Sequence, residues 1–153
     1  MDLSGGRSAR APWAAARVVV VGCGRVGSLA AGLLSGRGAE VVVVDRDEDT
    51  FKSLSPEFSG FTVTGDASEL AVLREAGVGD AEVLFAATDS DTLNLMVAQV
   101  ARERFGVRRV VARIFLPEWE ATYADLGIVA ISPVSLAVLR FMEEGEGVTG
   151  VAP

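Results

Sequence analysis

The sequence predicts an α/β fold: a single Rossmann-like, doubly wound parallel sheet of about six strands in the order 3-2-1-4-5-6, with helices on both faces. Three observations lead to this prediction. Apolar, strand-like runs alternate with helical stretches about six times along the 153 residues. The first run leads directly into a G-x-G-x-x-G turn, from Gly22 to Gly27, that opens an amphipathic helix. An acid, Asp45, follows the second run about 20 residues after that turn.

Hydrophobic periodicity places each element in turn. Strands buried on both faces are continuous apolar runs, and they are expected at 17–21, 40–44, 61–64, 81–86, 108–114 and 128–131. Helices with one apolar face are expected at 25–35, 47–54, 70–76, 91–105, 117–126 and 135–142. Gly36 and Gly38 end the first helix and Gly127 ends the fifth. Asp47 and Ser68 are candidate N-caps.

The chain has room for one domain. Residues 1–16 have no sustained period and are expected to form a flexible N-terminal tail, in which Trp13 either docks on the domain or stays free. Residues 17–144 form the predicted nucleotide-binding domain. Residues 145–153 are expected to be a flexible end.

Bulk composition excludes several functions. The net charge of −7 opposes binding to a nucleic-acid backbone, which needs clustered cations. The longest apolar runs are far shorter than the ~20 residues of a spanning helix, so any membrane connection runs through a partner. Cys23 is the only cysteine and histidine is absent, which leaves no internal disulfide and removes the commonest metal ligand and general base. No metal site is expected, and with no secretory segment at the N-terminus a cytoplasmic location is expected.

The glycine turn is the first candidate site. It consists of Gly22, Cys23, Gly24, Arg25, Val26 and Gly27. Gly22 permits a tight turn, Gly24 lets the backbone approach a pyrophosphate, and Gly27 lets the helix pack closely on the sheet. The helix N-terminus then offers free N–H groups to phosphate. A strand–helix turn that merely needs glycine is the alternative.

Asp45 is the second candidate, because an acid at this position accepts hydrogen bonds from ribose hydroxyls. It would repel a 2′-phosphate and so favours NAD or an adenosine nucleotide over NADP. The neighbouring Arg46 could still tolerate such a phosphate. A helix cap is the plainer role for Asp45, although Asp47 is available for it.

Further candidates follow the third and fourth strands, at the edge where open α/β sheets bind ligands. Asp66 and Ala67 could flank an adenine, or form a turn with a helix cap. Ala87 and Thr88 end the fourth strand. The acids beyond them are Asp89 and Asp91. They either belong to the ligand cleft or only cap the long helix.

Two arginines and the cysteine complete the set. Arg113 ends the fifth strand among apolar neighbours, where a cation needs an anionic partner. That partner is a ligand phosphate or an internal carboxylate, Asp66 or Asp89. Arg25 either clamps phosphates or is a solvated surface residue. Cys23 is either a redox group near a helix N-terminus or simply a small residue.

Five ordered motifs now make a resemblance clear. They are Val18 to Gly27, the valine run ending in Asp45, Gly65 to Ala67, Ala87 to Asn94, and Ala112 with Arg113. Over 17–134 the sequence resembles the TrkA-N, or RCK N-terminal, domain family. These are regulatory nucleotide-binding domains of bacterial potassium transporters and channels.

The resemblance implies a regulatory ligand, NAD(H) or an adenine nucleotide (ATP, ADP or AMP). It implies that Gly22, Gly24, Arg25 and Gly27 hold phosphates, Asp45 the ribose and Asp66 with Ala67 the adenine, while Thr88 lines the cleft and Arg113 reaches phosphate. It also implies a homodimer or a ring formed through the C-terminal helices. Because this sequence shows neither a pore nor the second RCK domain of many members, gating is expected to act through a separate potassium-transporting membrane subunit, at the inner face of the membrane. The alternatives are a stand-alone sensor or a fragment of a longer protein.

A competing function is an NAD-dependent oxidoreductase, or its cofactor-binding fragment. Such an enzyme needs a substrate pocket and a proton donor or acceptor. The only lysine, Lys52, and the only tyrosine, Tyr123, fall outside the predicted strand ends. The sequence therefore favours a non-enzymatic sensor over an oxidoreductase, and over an interaction domain with a vestigial site.

Overall fold

The structure is a computed structural model that describes residues 12–149 of the chain. In this part, one sheet has the strand order β3-β2-β1-β4-β5-β6, and every neighbouring pair is parallel. The strands are β1 Arg17–Val21, β2 Glu40–Asp45, β3 Phe61–Thr64, β4 Val83–Ala86, β5 Arg109–Arg113 and β6 Val129–Ile131. The α-helices are α1 Arg25–Gly36, α2 Leu70–Glu75, α3 Asp91–Glu103, α4 Glu120–Asp125 and α5 Pro133–Thr149. The predicted fold class and strand order are confirmed.

The sheet is apolar on both faces because β1 and its neighbours are built almost wholly from β-branched and small residues. Val18 and Val20 pack on one face with Ala31 of α1. Val19 and Val21 pack on the other face, in a cluster that includes side chains of α2 and α3. The strand order reverses between β1 and β4, and such a reversal opens a crevice at the carboxyl ends of the strands.

Part of the predicted N-terminal tail is folded. Residues 12–15 form a turn in which the amide of Ala15 donates to the carbonyl of Gly38 (2.8 Å). Ala16 is buried, and Trp13 packs against the cluster formed with α1. Burial of the indole ring favours this docking. Residues 1–11 lie outside the described part of the chain.

Helix α5 is longer than predicted, and the predicted flexible end at 145–153 is helical as far as Thr149. Glycine costs a helix only about 1 kcal/mol relative to alanine, so Gly145 did not end it. Ion pairs from Arg140 to Glu143 (3.3 Å) and to Glu144, one turn apart on the exposed face, support it. Residues 150–153 are outside the described part.

Several local predictions were wrong in detail. The segment predicted as a short helix at 47–54 is a 3₁₀ helix, Glu48–Ser53, capped by Asp47 as expected (3.0 Å to the amide of Asp49). Ser68 is not a cap, because Glu69 precedes α2. The cap of α3 is Ser90, whose hydroxyl accepts from the amide of Leu93 (3.2 Å), and neither neighbouring aspartate takes that role.

Candidate functional site

The glycine turn lies at the crevice where the strand order reverses. Gly22 has a φ of +99°, a left-handed conformation that favours glycine, and its amide donates to the carbonyl of Val44 (2.7 Å). A Cβ on Gly22 would lie 2.9 Å from the amide nitrogen of Thr88. The turn after β1 is therefore pressed against the segment after β4, and the structure brings the predicted residues Ala87 and Thr88 beside the glycine turn.

The three motif glycines are needed for different reasons. A Cβ on Gly27 would overlap the carbonyl oxygen of Gly22, so the fold itself requires glycine at 27. Gly22 is required by its φ and by its close contact with Ala87 and Thr88, which follow β4. A Cβ on Gly24, in contrast, meets no atom within 4 Å, and Gly24 has an extended backbone that any residue adopts. The alternative, in which the strand–helix turn needs glycine only for its own geometry, accounts for Gly22 and Gly27. It gives no reason for glycine at position 24.

The N-terminus of α1 faces outward from this turn. Gly24 is its N-cap and provides no side-chain cap, and the first turn contains no acid. The first intrahelical bond runs from the amide of Ser28 to the carbonyl of Gly24 (2.9 Å), so the amides of Arg25, Val26 and Gly27 precede the helical ladder. Gly24 and Arg25 are exposed. Free amides at a positive helix end form a site for an anionic group.

Asp45 is bound to the glycine turn. One carboxylate oxygen accepts from the amide of Cys23 (2.8 Å) and the other from the amide of Asp47 (2.9 Å). A carboxylate has about four acceptor positions, so two remain for hydroxyl donors. Asp45 is half-buried at the end of β2. The ribose-binding candidate and the phosphate-binding candidate thus form one continuous surface.

The surroundings of Cys23 disfavour reaction of its thiol. It is buried and donates to the carbonyl of Thr50 (3.5 Å). Burial raises the pKa of the Cys23 thiol, and the nearby carboxylate of Asp45 raises it further against the lowering effect of the Thr50 hydrogen bond. A redox-active cysteine needs a lowered pKa, so Cys23 is suited to fill space beneath the turn.

The turn after β3 is joined to the same edge. The amide of Gly65 donates to the carbonyl of Asp45 (3.0 Å), and the exposed carboxylate of Asp66 accepts from the amide of Ser68 (2.8 Å). Hydrogen bonds from Ser68 lower the pKa of Asp66, and the positive charge of the exposed Arg46 lowers it slightly more. Ala67, the other residue expected beside an adenine, is buried in the core and is 5% exposed.

Arg113 is half-buried at the end of β5. Within residues 12–149 no salt bridge joins Arg113 to Asp66 or Asp89, so this alternative pairing is not formed. A half-buried cation without such a partner favours an anionic ligand.

Asn94 is a site residue that sequence reasoning did not select. It is completely buried on the inward face of α3, together with Val97, Ala98 and Ala101. Its side chain makes hydrogen bonds to Thr88 and Arg113. The signal was present, because an amide within a buried helical stripe must find hydrogen-bond partners.

A separate cavity of about 730 Å³ lies at the opposite, amino-terminal edge of the sheet, where Trp13, Glu82 and Arg108 contribute to its lining. The glycine turn does not contribute to it. Among the described residues, no group of His, Cys, Asp and Glu is arranged to hold a metal ion. Nor does any helix in that part of the chain have the length and apolar character needed to cross a bilayer.

Residues 18–133 match the family model of the TrkA-N domain, and the chain therefore belongs to that family. It is 43% identical over 117 residues to a Trk system potassium uptake protein TrkA of Streptomyces coelicolor, covering 76% of this chain and 52% of that protein. It is 31% identical over 111 residues to a TrkA homolog of Methanothermobacter thermautotrophicus, covering 72% and 51%. The chain thus spans about half the length of these relatives.

Solved structures resemble it closely. The GsuK channel bound to NAD superposes with a TM-score of 0.70 at 26% identity, over 86% of this chain and 24% of that one. GsuK bound to ADP gives a TM-score of 0.71 at 26% identity, over 90% and 36%. The Kef C-terminal domain of Shewanella denitrificans in its AMP-bound form gives 0.75 at 23% identity, over 89% and 83%, which supports the fold alone.

Proposed function

We propose that this chain is a regulatory domain that binds NAD(H) or an adenine nucleotide in the cleft between the glycine turn and Asp45. Binding would gate a potassium uptake transporter or channel, through a separate membrane subunit. The single observation that supports this binding site most strongly is the presence of glycine at position 24, where the fold does not require it. The fold leaves its Cβ position open, and a phosphate approaching the amides of α1 supplies the missing reason for glycine.

The acids of the cleft support the choice of ligand. Asp45 retains acceptor positions for ribose hydroxyls while it is held in place by two backbone amides. Its negative charge disfavours a 2′-phosphate, so NAD is preferred to NADP. GsuK, a relative in fold at 26% identity, has been solved with NAD and with ADP.

Sensing is preferred to catalysis because the candidate proton-transfer groups are engaged elsewhere. The hydroxyl of Tyr123 donates to the carbonyl of Asp91 (3.4 Å), and Lys52 pairs with Asp49 (3.1 Å). The sequence contains no histidine. A domain of this kind acts by differential binding, in which a ligand that fits one arrangement of paired domains shifts the population toward it.

Homo-oligomerisation belongs to the same proposal. Helix α5 exposes large apolar side chains, including Leu136, Leu139 and Phe141, which are 56%, 59% and 73% exposed. Trp119 and Val129 add to the exposed apolar surface before it. A second copy of the chain would cover these side chains. The assembly would sit at the cytoplasmic face of the membrane, held there by the pore subunit.

A ligand panel tests binding. Thermal unfolding is followed with NAD, NADH, AMP, ADP and ATP, and a ligand present at 100 times its dissociation constant adds about 2.7 kcal/mol of stability. A stabilisation by at least one of the five supports the proposal, and none by any of them contradicts it. Hydride transfer at enzymatic rates with NADH would instead favour the oxidoreductase.

Potassium uptake tests gating. Cells lacking this gene are complemented with the wild-type chain or with a binding-deficient variant, and uptake of a potassium tracer is measured. Restoration by the wild type alone is expected. If the wild type and the binding-deficient variant restored potassium uptake equally, nucleotide binding would not be needed for the transport role.

A further inference from the structure

The side chain of Asn94 makes four hydrogen bonds, which is its full capacity. The amide nitrogen donates to the carbonyl of Thr88 (2.9 Å) and to the carbonyl of Arg113 (2.9 Å). The amide oxygen accepts from the amide of Thr88 (2.9 Å) and from its hydroxyl (2.6 Å). Asn94 is 0% exposed. One buried side chain thus joins α3 to the ends of two strands.

These bonds lie where the sheet itself no longer connects the two strands. The ladder between β4 and β5 ends at the pair Ala86 and Ala112. Thr88 and Arg113 lie beyond that pair, at the carboxyl ends of the two strands. The Asn94 amide donates and accepts as a peptide group would, and so continues the connection past the end of the ladder.

We propose that Asn94 is a positioning residue of the ligand cleft, which fixes Thr88 and Arg113 relative to each other so that both meet the ligand as one wall. This inference rests on the proposed nucleotide site. Thr88 abuts the glycine turn, and Arg113 is a half-buried cation that forms no ion pair with an acid of the described chain. Loss of the bridge would leave Arg113 paired with β6 alone and would allow it to shift relative to Thr88 and the turn.

The wild-type protein allows a test that needs no variant. Asn94 is the only asparagine and Gln99 the only glutamine in the sequence, so each gives a single pair of side-chain amide signals in a proton–nitrogen-15 NMR spectrum. Gln99 lies on the same helix but is exposed, and is the internal control. ADP is the probe. We expect saturation with ADP to shift the Asn94 signals and to leave those of Gln99 in place.

The two proposals fail differently in this titration. If ADP shifts the backbone amides of the glycine turn and the Asn94 signals stay in place, the positioning role is wrong and the binding site stands. If no amide of the turn shifts at any ADP concentration, the binding site itself is wrong and the positioning role falls with it.

A double-mutant cycle tests the coupling. Asn94→Asp keeps the shape and both acceptor bonds of the side chain but removes the two donated bonds. Arg113→Ala alone should weaken ADP binding by about tenfold, as expected for a charged hydrogen bond. In the Asn94→Asp background we expect the same Arg113 substitution to change affinity by less than about twofold, because coupled residues are not additive.

The matched control is Ser90→Ala, which removes the cap of the same helix without touching the bridge to β5. In that background the effect of Arg113→Ala should remain about tenfold. If the two substitutions together weaken ADP binding by the product of their separate factors, Asn94 does not position Arg113 and only holds the helix in place. If Asn94→Asp does not fold, as judged by circular dichroism, the titration of the wild-type chain decides.

Discussion

Replacing Gly24 with alanine separates what the fold requires from what a ligand requires. The added Cβ meets no atom within 4 Å, and the backbone at φ −76°, ψ −160° suits alanine. The unliganded protein should stay within about 1 kcal/mol of wild-type stability, because alanine makes the unfolded chain less flexible but caps a helix less well than glycine. The new methyl group lies where a phosphate must approach the amides of α1.

The loss of affinity follows from that obstruction. A phosphate held away from the backbone loses part of its hydrogen bonding to the free amides, and we expect at least a tenfold weaker affinity, about 1.4 kcal/mol. At an ADP concentration 100 times the wild-type dissociation constant, the ligand stabilises the wild type by about 2.7 kcal/mol. At the same concentration Gly24→Ala should gain only about 1.4 kcal/mol.

Calorimetric titration and chemical unfolding measure the two quantities separately. The control is Gly36→Ala, which adds the same methyl group to open space at the far end of α1. That variant should bind ADP as the wild type does. Wild-type affinity in Gly24→Ala, or loss of folding in it, would refute the assignment of Gly24 to the ligand.

Four further outcomes are expected. Gly27→Ala should lose about 1–3 kcal/mol in urea unfolding, because its Cβ overlaps the backbone of Gly22, and an unchanged midpoint would contradict this close packing. Asp45→Ala should weaken NAD binding at least tenfold, since hydrogen bonds to a charged group contribute about 1.5–3 kcal/mol each, and an unchanged titration would place the ribose elsewhere. Burial raises the pKa of Cys23 above its ordinary 9.0, so the folded state holds this proton more tightly than the unfolded state does. Stability should therefore fall as pH rises through and above 9.0. Cys23→Ala should show a shallower fall of stability with pH, and an equal fall would exclude the thiol as the cause. If the chain dimerises through α5 as proposed, Phe141→Glu should give monomers in analytical ultracentrifugation at concentrations where the wild type dimerises, and a dimeric variant would move the interface away from α5.

The sequence predicted the sheet well because its signals are local and redundant. Four consecutive valines in β1 suit a strand buried on both faces, and the run ending in Asp45 repeats the signal. The strand order follows from the Rossmann pattern that these runs and the glycine turn share. Since the carboxyl ends of parallel strands meet at one edge, the predicted residues at those ends were brought to a common edge.

Other features depended on geometry that a linear pattern does not contain. Whether Ser90 or a neighbouring aspartate caps α3 is decided by which side chain faces the amide of Leu93. Arg113 could have paired with an internal acid, and its lack of an ion pair in the described chain emerged only from the packing of the strand ends. Asn94 is hydrogen-bonded to Thr88, which is 6 positions away in the chain, and to Arg113, which is 19 positions away. The bond to Arg113 is a tertiary contact.

The central claim is that an adenine nucleotide occupies the cleft between the glycine turn and Asp45. A crystal structure of this chain grown with saturating ADP tests it most directly. The account predicts phosphate oxygens about 3 Å from the amides of Arg25 and Val26, with ribose hydroxyls on the carboxylate of Asp45. ADP bound instead in the cavity beside Trp13 and Arg108, or an empty cleft at saturating ADP, would contradict it.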